Sequence, residues 1–339
     1  MRFIRFVEFV PSALVLAAGL LAASIAAAGE GQMPREVVLS IEAGYYQHAL
    51  TQLQALLQSE ARSPQIAFRM GQILLGLHRT AEARETLEAA VKQYPLESSL
   101  HRLLGEAYGA EAKTTGPIDA FRLARATLAE FIEAVRVNPN DVESQVNLAL
   151  FYIEAPGVVG GSVEKAHQLE ASIEKLSPLL ALQTRATEAA QGQDWPAAER
   201  ILKQAIRIDP GSGSLLQLGQ MYLDAGRPAD ALSAFATMTQ AHPESSAALY
   251  WFGRAAAESK TQLTKGMESL RRYLALRERP DNAPAPAWAH LMQARLCALN
   301  AMPSCARSEL EAARNFAPAK DSDFAARLKE TTSMVVKTE

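Results

Sequence analysis

Aromatic residues make up only 6% of this 339-residue chain, and its net charge is −3. The slightly acidic balance argues against nucleic acid as a partner, because such binders show a basic face. No run of β-branched residues alternates with polar ones, so nothing suggests a sheet. The six histidines, His48, His78, His101, His167, His242 and His290, are scattered, with no H-E-x-x-H and no paired metal spacing. They read as surface or packing residues, and neither a metal nor a cofactor is expected. No carboxylate pair stands out, and C-x-x-C is missing. The chain is therefore not expected to be an enzyme.

Alanine and leucine dominate instead, which suits helices with many close crossings. The N-terminus stands apart. Arg2 and Arg5 precede a mostly apolar segment from Phe9 to Ala28, and Ala26-Ala27-Ala28 has the small-x-small form of a cleavage site. Residues 1–28 read as a secretory signal peptide, which predicts an exported, periplasmic protein. The competing reading is an uncleaved membrane anchor, since about 20 apolar residues can span a bilayer. No cysteine lies near residue 28 to carry a lipid.

The most regular stretch is Ser212 to Pro243. Leu215, Leu218, Gly219 and Tyr222 fall on one face of a helix, Gly226-Arg227-Pro228 breaks it, and Ala231, Leu232, Phe235 and Met238 line a second helix that Pro243 ends. Gly219 and Ala231 lack bulk, so the two backbones can approach. Looser copies run on both sides, at 36–57, 64–95, 104–139, 142–178, 179–210, around Leu249–Tyr273, and at 287–318. The third copy carries about ten extra residues around 113–117, predicting longer helices or an excursion at the turn. The fourth has an expanded turn at 155–162. Residues 281–286 form a short stiff spacer, and 321–336 a final helix with a polar outer face.

This unit resembles a tetratricopeptide repeat, with its Leu-Gly, Tyr, Gly, Ala, Phe and Pro pattern over about 34 residues. The resemblance covers about residues 30 to 320. It implies an all-α fold, a right-handed α-solenoid of about eight helix pairs, with the solenoid at 29–320 and a C-terminal capping helix and tail at 321–339. The expanded turn APGVVGGSVEKA looks like one found in a subset of bacterial repeat proteins. It lacks a Walker lysine and reads as a long inter-helix turn with Ser162 as N-cap and Glu164 on the helix dipole. Ser162-Val-Glu-Lys165 fits S-x-x-K, but its companion motifs are missing.

Repeat solenoids of this kind present an inner surface lined by the first helix of each pair. Spacing from the crossing residues places there Phe68, Gln72, Arg102, Glu106, Val146, Leu150, Gln183, Leu216, Gln220, Tyr250, Arg254, Leu291 and Arg295. Some related domains grip a C-terminal carboxylate with Lys-x-x-x-Asn here. The pairs Phe68/Gln72, Arg102/Glu106 and Tyr250/Arg254 depart from that pattern. The groove suits an extended peptide or a helix, with Tyr250 and Phe68 as anchors. Cys297 and Cys305 flank the last turn and leave two readings open: a disulfide in an oxidising compartment, or two small buried residues. The expected function is a non-enzymatic scaffold for protein or peptide partners in the cell envelope, in assembly or quality control. The alternative is a periplasmic carrier of small molecules or lipids.

Overall fold

Serine, aspartate and proline set the helix starts. Ser63, Ser162, Ser177 and Ser245 each accept a hydrogen bond from a backbone N–H three residues on, and Asp194 does the same for Ala197. Asp141 accepts from the N–H groups of Glu143 and Ser144. Each bond satisfies a donor that the first turn would leave unpaired. Pro64, Pro178 and Pro228 sit in first turns, where a missing N–H is harmless.

The computed structural model describes residues 34–57, 63–211, 213–277, 279–281, 283–315 and 322–337. The signal-peptide reading of residues 1–28 lies outside them. Among the described residues there are seventeen α-helices and no strand. The chain divides into two units, Met1–Ser214 and Leu215–Glu339. The first holds α1 (Arg35–Glu42), α2 (Tyr46–Leu57), α3 (Pro64–Gly76), α4 (Thr80–Gln93), α5 (Ser98–Ala112), α6 (Pro117–Val137), α7 (Val142–Glu154), α8 (Val163–Leu176), α9 (Pro178–Gln191) and α10 (Trp195–Ile208). The second holds all but the first residue of α11 (Ser214–Asp224), then α12 (Pro228–Ala241), α13 (Ser246–Ser259), α14 (Leu263–Ala275), α15 (Pro286–Leu299), α16 (Pro303–Asn315) and α17 (Ser322–Lys337). No helix among the described residues is long and apolar enough to cross a membrane.

Within each unit the helices pack as consecutive antiparallel pairs, the arrangement of an α-solenoid, and first helices also pack on first helices, as in α3–α5, α5–α7 and α13–α15. Missing side chains fix the crossings. A Cβ on Gly105 would lie 2.5 Å from Phe131, and one on Gly219 would lie 2.4 Å from Phe235. Phe131, Phe235, Ala134 and Ala231 are correspondingly buried. The extra residues of the third pair lengthen its helices: α6 has 21 residues, against 14 in α4. In the fourth pair the expanded turn is a short 3-10 segment, Gly157–Val159, with Gly160 at a left-handed φ of 109°.

Candidate partner-binding face

The candidate partner-binding residues expected from the sequence lie on the first helices. In the first unit the face begins with Phe68, half-buried on α3. The guanidinium carbons of Arg69 and Arg102 each lie 5.7 Å from its ring centroid. Arg69 donates to Gln72 Oε1 at 2.9 Å. Arg102, on α5, is only 9% exposed. Its Nη1 donates to Glu106 Oε1 at 2.8 Å and its Nη2 lies 2.6 Å from Glu143 Oε2 on α7. Asn147, also on α7, donates to the same Glu106 oxygen at 2.7 Å.

Burial opposes the charge of Arg102, but Glu106, Glu143 and Asp141 outweigh it and its pKa is raised. Burial pushes the Glu106 carboxyl up, and Arg102 and Asn147 hold it back only in part. The cation of this network is matched by two carboxylates, so it does not offer a free positive charge to an anion, although Arg102 Nε is buried without a hydrogen-bond partner. Sequence spacing missed Glu143 and Asn147. They lie three residues before Val146 and Leu150, and the available signal was the charge match to Arg102.

Val146 and Leu150 are not surface residues. Both are 5% exposed and pack with Phe131, Ala149 and Ile173. Counting from the crossing residue located them correctly on α7, but the adjacent first helices close over that side. Gln183, on α9, stays half-buried.

In the second unit Leu216 and Gln220 are half-buried on α11. Tyr250, expected as an anchor, is instead 2% exposed, with the rings of Trp251 and Tyr273 centred 5.4 and 5.6 Å away. Burial pushes its hydroxyl pKa up. Leu291 and Arg295 on α15 are buried as well. Arg254 is half-buried, with its guanidinium carbon 5.0 Å from the Trp251 centroid.

Tyr250 is closed in by Tyr273 of α14, and α17 covers the Arg295 end of the face. Arg327 of α17 pairs with Glu258 of α13, and Glu330 of α17 accepts from Arg295 Nη1 at 2.9 Å. Phe324 meets Trp288 edge-on at 5.1 Å and is buried. None of Glu258, Phe324, Arg327 and Glu330 was singled out from the sequence, because the docking of a terminal helix leaves no local spacing to read.

Three histidines bridge neighbouring helices. His101 Nδ1 lies 2.7 Å from Glu130 and its Nε2 3.1 Å from Pro95 O. His290 lies 2.7 Å from Glu309. His167 Nε2 lies 2.8 Å from Glu188 and 3.5 Å from Glu170. The last group could offer three ligand atoms to a metal ion, and sequence spacing had not flagged it. Arg185, 3.2 Å from Glu170, already supplies it with a cation. Cys297 and Cys305 are joined by a disulfide across the α15–α16 turn, with Cα atoms 5.8 Å apart.

Two stretches, residues 40–107 and 189–248, match the family model described as Tetratricopeptide repeat. The chain carries tetratricopeptide repeats. Two solved structures share its fold at low identity. Human IFIT1, solved as a dimer with PPP-AAAA, is 16% identical over 89% of this chain and 72% of its own, with a TM-score of 0.56. Yeast Tom70 is 14% identical over 96% of this chain, with a TM-score of 0.54, and the match spans only 63% of Tom70. A tetratricopeptide repeat protein from Parabacteroides merdae is 13% identical over 89% of this chain and 96% of its own, with a TM-score of 0.46. No curated protein matches the sequence.

Proposed function

We propose that this repeat-bearing chain is a non-enzymatic scaffold that binds a protein or peptide in the cell envelope, in assembly or quality control. The observation that carries the reading is the half-exposed Phe68, flanked by Arg69 and Arg102 and bordered by Gln72 and Glu106. An aromatic anchor inside a polar rim is how interfaces concentrate affinity. The internally neutralised arginine favours a partner read by apolar contact and neutral hydrogen bonds, not by a terminal carboxylate. Gln183 belongs to the proposed contact set of the first unit because it remains half-buried; Leu216, Gln220 and Arg254 are the half-buried candidates of the second unit, taken by itself. Export rests on residues 1–28.

Crosslinking in intact envelopes tests the scaffold reading. Phe68→Ala/Gln72→Ala leaves the Arg102 network in place and is expected to lose most of the partner captured by the wild type. Equal capture by both chains removes this face from the account. N-terminal sequencing of the exported protein is expected to begin near Gly29, and a retained Met1 would favour the membrane anchor.

A further inference from the structure

Of the histidines that bridge helices, His101 and His290 pair with Glu130 and Glu309, whereas His167 stands between two carboxylates. We infer that His167, Glu170 and Glu188 form a binding site for a divalent transition-metal cation of the zinc type, and that the bound ion clamps α8 to α9. This goes beyond the protein-binding reading and departs from the expectation, drawn from the scattered histidines, that no metal binds.

The placement follows from helix geometry. His167 and Glu170 are three residues apart on α8, so they share a face, and Glu188 reaches the same point from α9. His167 Nε2 lies 2.8 Å from Glu188 Oε1 and 3.5 Å from Glu170 Oε1, and the three ligand atoms all lie within 4.8 Å of one another. A tetrahedral ion with bonds of about 2.1 Å separates its ligands by about 3.4 Å, so each side chain moves by less than about 1 Å to receive it. One imidazole and two carboxylates are a donor set that such ions take, with water at the remaining position. His167 is exposed and the two glutamates are half-buried, so the ion enters from solvent.

Charge favours a cation here. Arg185 of α9 takes Glu170 Oε2 and Glu174 Oε2, at 3.2 and 2.7 Å, which leaves Glu170 Oε1 beside His167. Glu170, Glu174 and Glu188 against this one guanidinium leave a local excess of negative charge that a divalent ion offsets. Lys165 does not cancel it, because its ammonium lies over the Tyr152 ring of α7, and Lys175 is about 100° around the helix from Glu174. The whole of α8 and α9 carries Glu164, Glu170, Glu174 and Glu188 against Lys165, Lys175 and Arg185, so the excess is negative there too. The hydrogen bond from Glu188 raises the pKa of His167, which is the same preference for positive charge, and an entering ion displaces that proton. Ser177 alone joins α8 to α9, and His167 and Glu188 stand about three turns from it on either side. An ion held there fixes the angle between the fourth and fifth helix pairs.

The test uses the full chain, untagged and freed of metal by a chelator, with Zn²⁺ alone as the probe. Calorimetric titration is expected to show a single equivalent bound by the wild type and by His290→Gln. In His167→Ala/Glu188→Gln, binding is expected to weaken by more than about tenfold, the least that losing a contact around a metal costs. Equal binding by this double variant and the wild type, no saturable binding by the wild type, or loss of binding in His290→Gln overturns the inference, with the variants shown to be folded by circular dichroism. Hydrogen exchange on the wild type gives the answer independently if the double variant does not fold. Zn²⁺ is expected to slow exchange in α8 and α9 and to leave α13 and α15 unchanged, and no slowing in α8 and α9 contradicts the clamp. Neither readout involves Phe68, so the scaffold reading and this inference fail separately.

Discussion

The first-helix face is treated in opposite ways in the two units. On α3 and α5 it leaves Phe68, Gln72 and Glu106 half-buried over the Arg102 charge network. On α13 and α15 the equivalent residues Tyr250, Leu291 and Arg295 are buried: Tyr250 packs against Trp251 and Tyr273, and Arg295 pairs with Glu330 of α17. The same repeat spacing produces both outcomes. Position within a repeat tells which side of a helix a residue occupies. What packs against that side decides whether it is a surface.

The two arginines should separate most clearly. Arg102→Ala leaves Glu106 and Glu143 facing each other with no cation, and breaking a buried pair in this way typically costs about 3–5 kcal/mol. Urea unfolding is expected to show a loss of that order. A loss under 1 kcal/mol would mean that the network is hydrated in solution. Reduction has no target in the first unit, where no cysteine occurs, but it opens the Cys297–Cys305 link in the second. Replacing both cysteines by alanine is expected to destabilise the second unit by about 2.5 kcal/mol on chain-entropy grounds. The fluorescence of Trp251 and Trp288 reports it.

Arg295→Ala should cost less than Arg102→Ala, about 1–2 kcal/mol. Glu258 keeps Arg327, and Glu330 is 54% exposed and returns to water. An effect as large as that of Arg102→Ala would show that α17 is part of the core of the second unit.

The smallest effect is one of pH, and it belongs to the first unit. The hydrogen bond to Glu130 raises the pKa of His101 above its ordinary value despite burial. Its contribution is fully present below about pH 6.5, the unfolded value, and is lost as pH rises through the folded pKa. Burial pushes the Glu154 carboxyl up to about 7, so its ionisation opposes folding increasingly between about pH 4.3 and 7. Both trends have one sign. The urea midpoint of the first unit should fall from pH 6 to pH 8, and His101→Gln with Glu154→Gln should flatten that slope.

Much of the fold could be read from the sequence because its determinants are local. Gly105 and Gly219 mark the crossings with Phe131 and Phe235, and Ser162, Ser177 and Ser245 mark helix starts. The extra residues near 113–117 were legible as an insertion, and the structure resolves them into longer helices. The binding face was legible only in outline. Tyr250 was read as an anchor because its spacing from Gly253 puts it on the first-helix face, but that spacing does not announce Tyr273 of α14, against which its ring packs. Glu143 and Asn147 were missed for a related reason: they act on Arg102 and Glu106 across the gap between repeats, and only the charge match could have pointed to them.

Hydroxyl-radical footprinting of the intact protein tests the contrast most directly. The account predicts that Phe68 is oxidised at the rate of a half-exposed aromatic ring while Tyr250 is protected. Oxidation of Tyr250 as fast as that of Phe68 would show that the second face is open in solution, and would contradict the packing of Tyr250 against Trp251 and Tyr273.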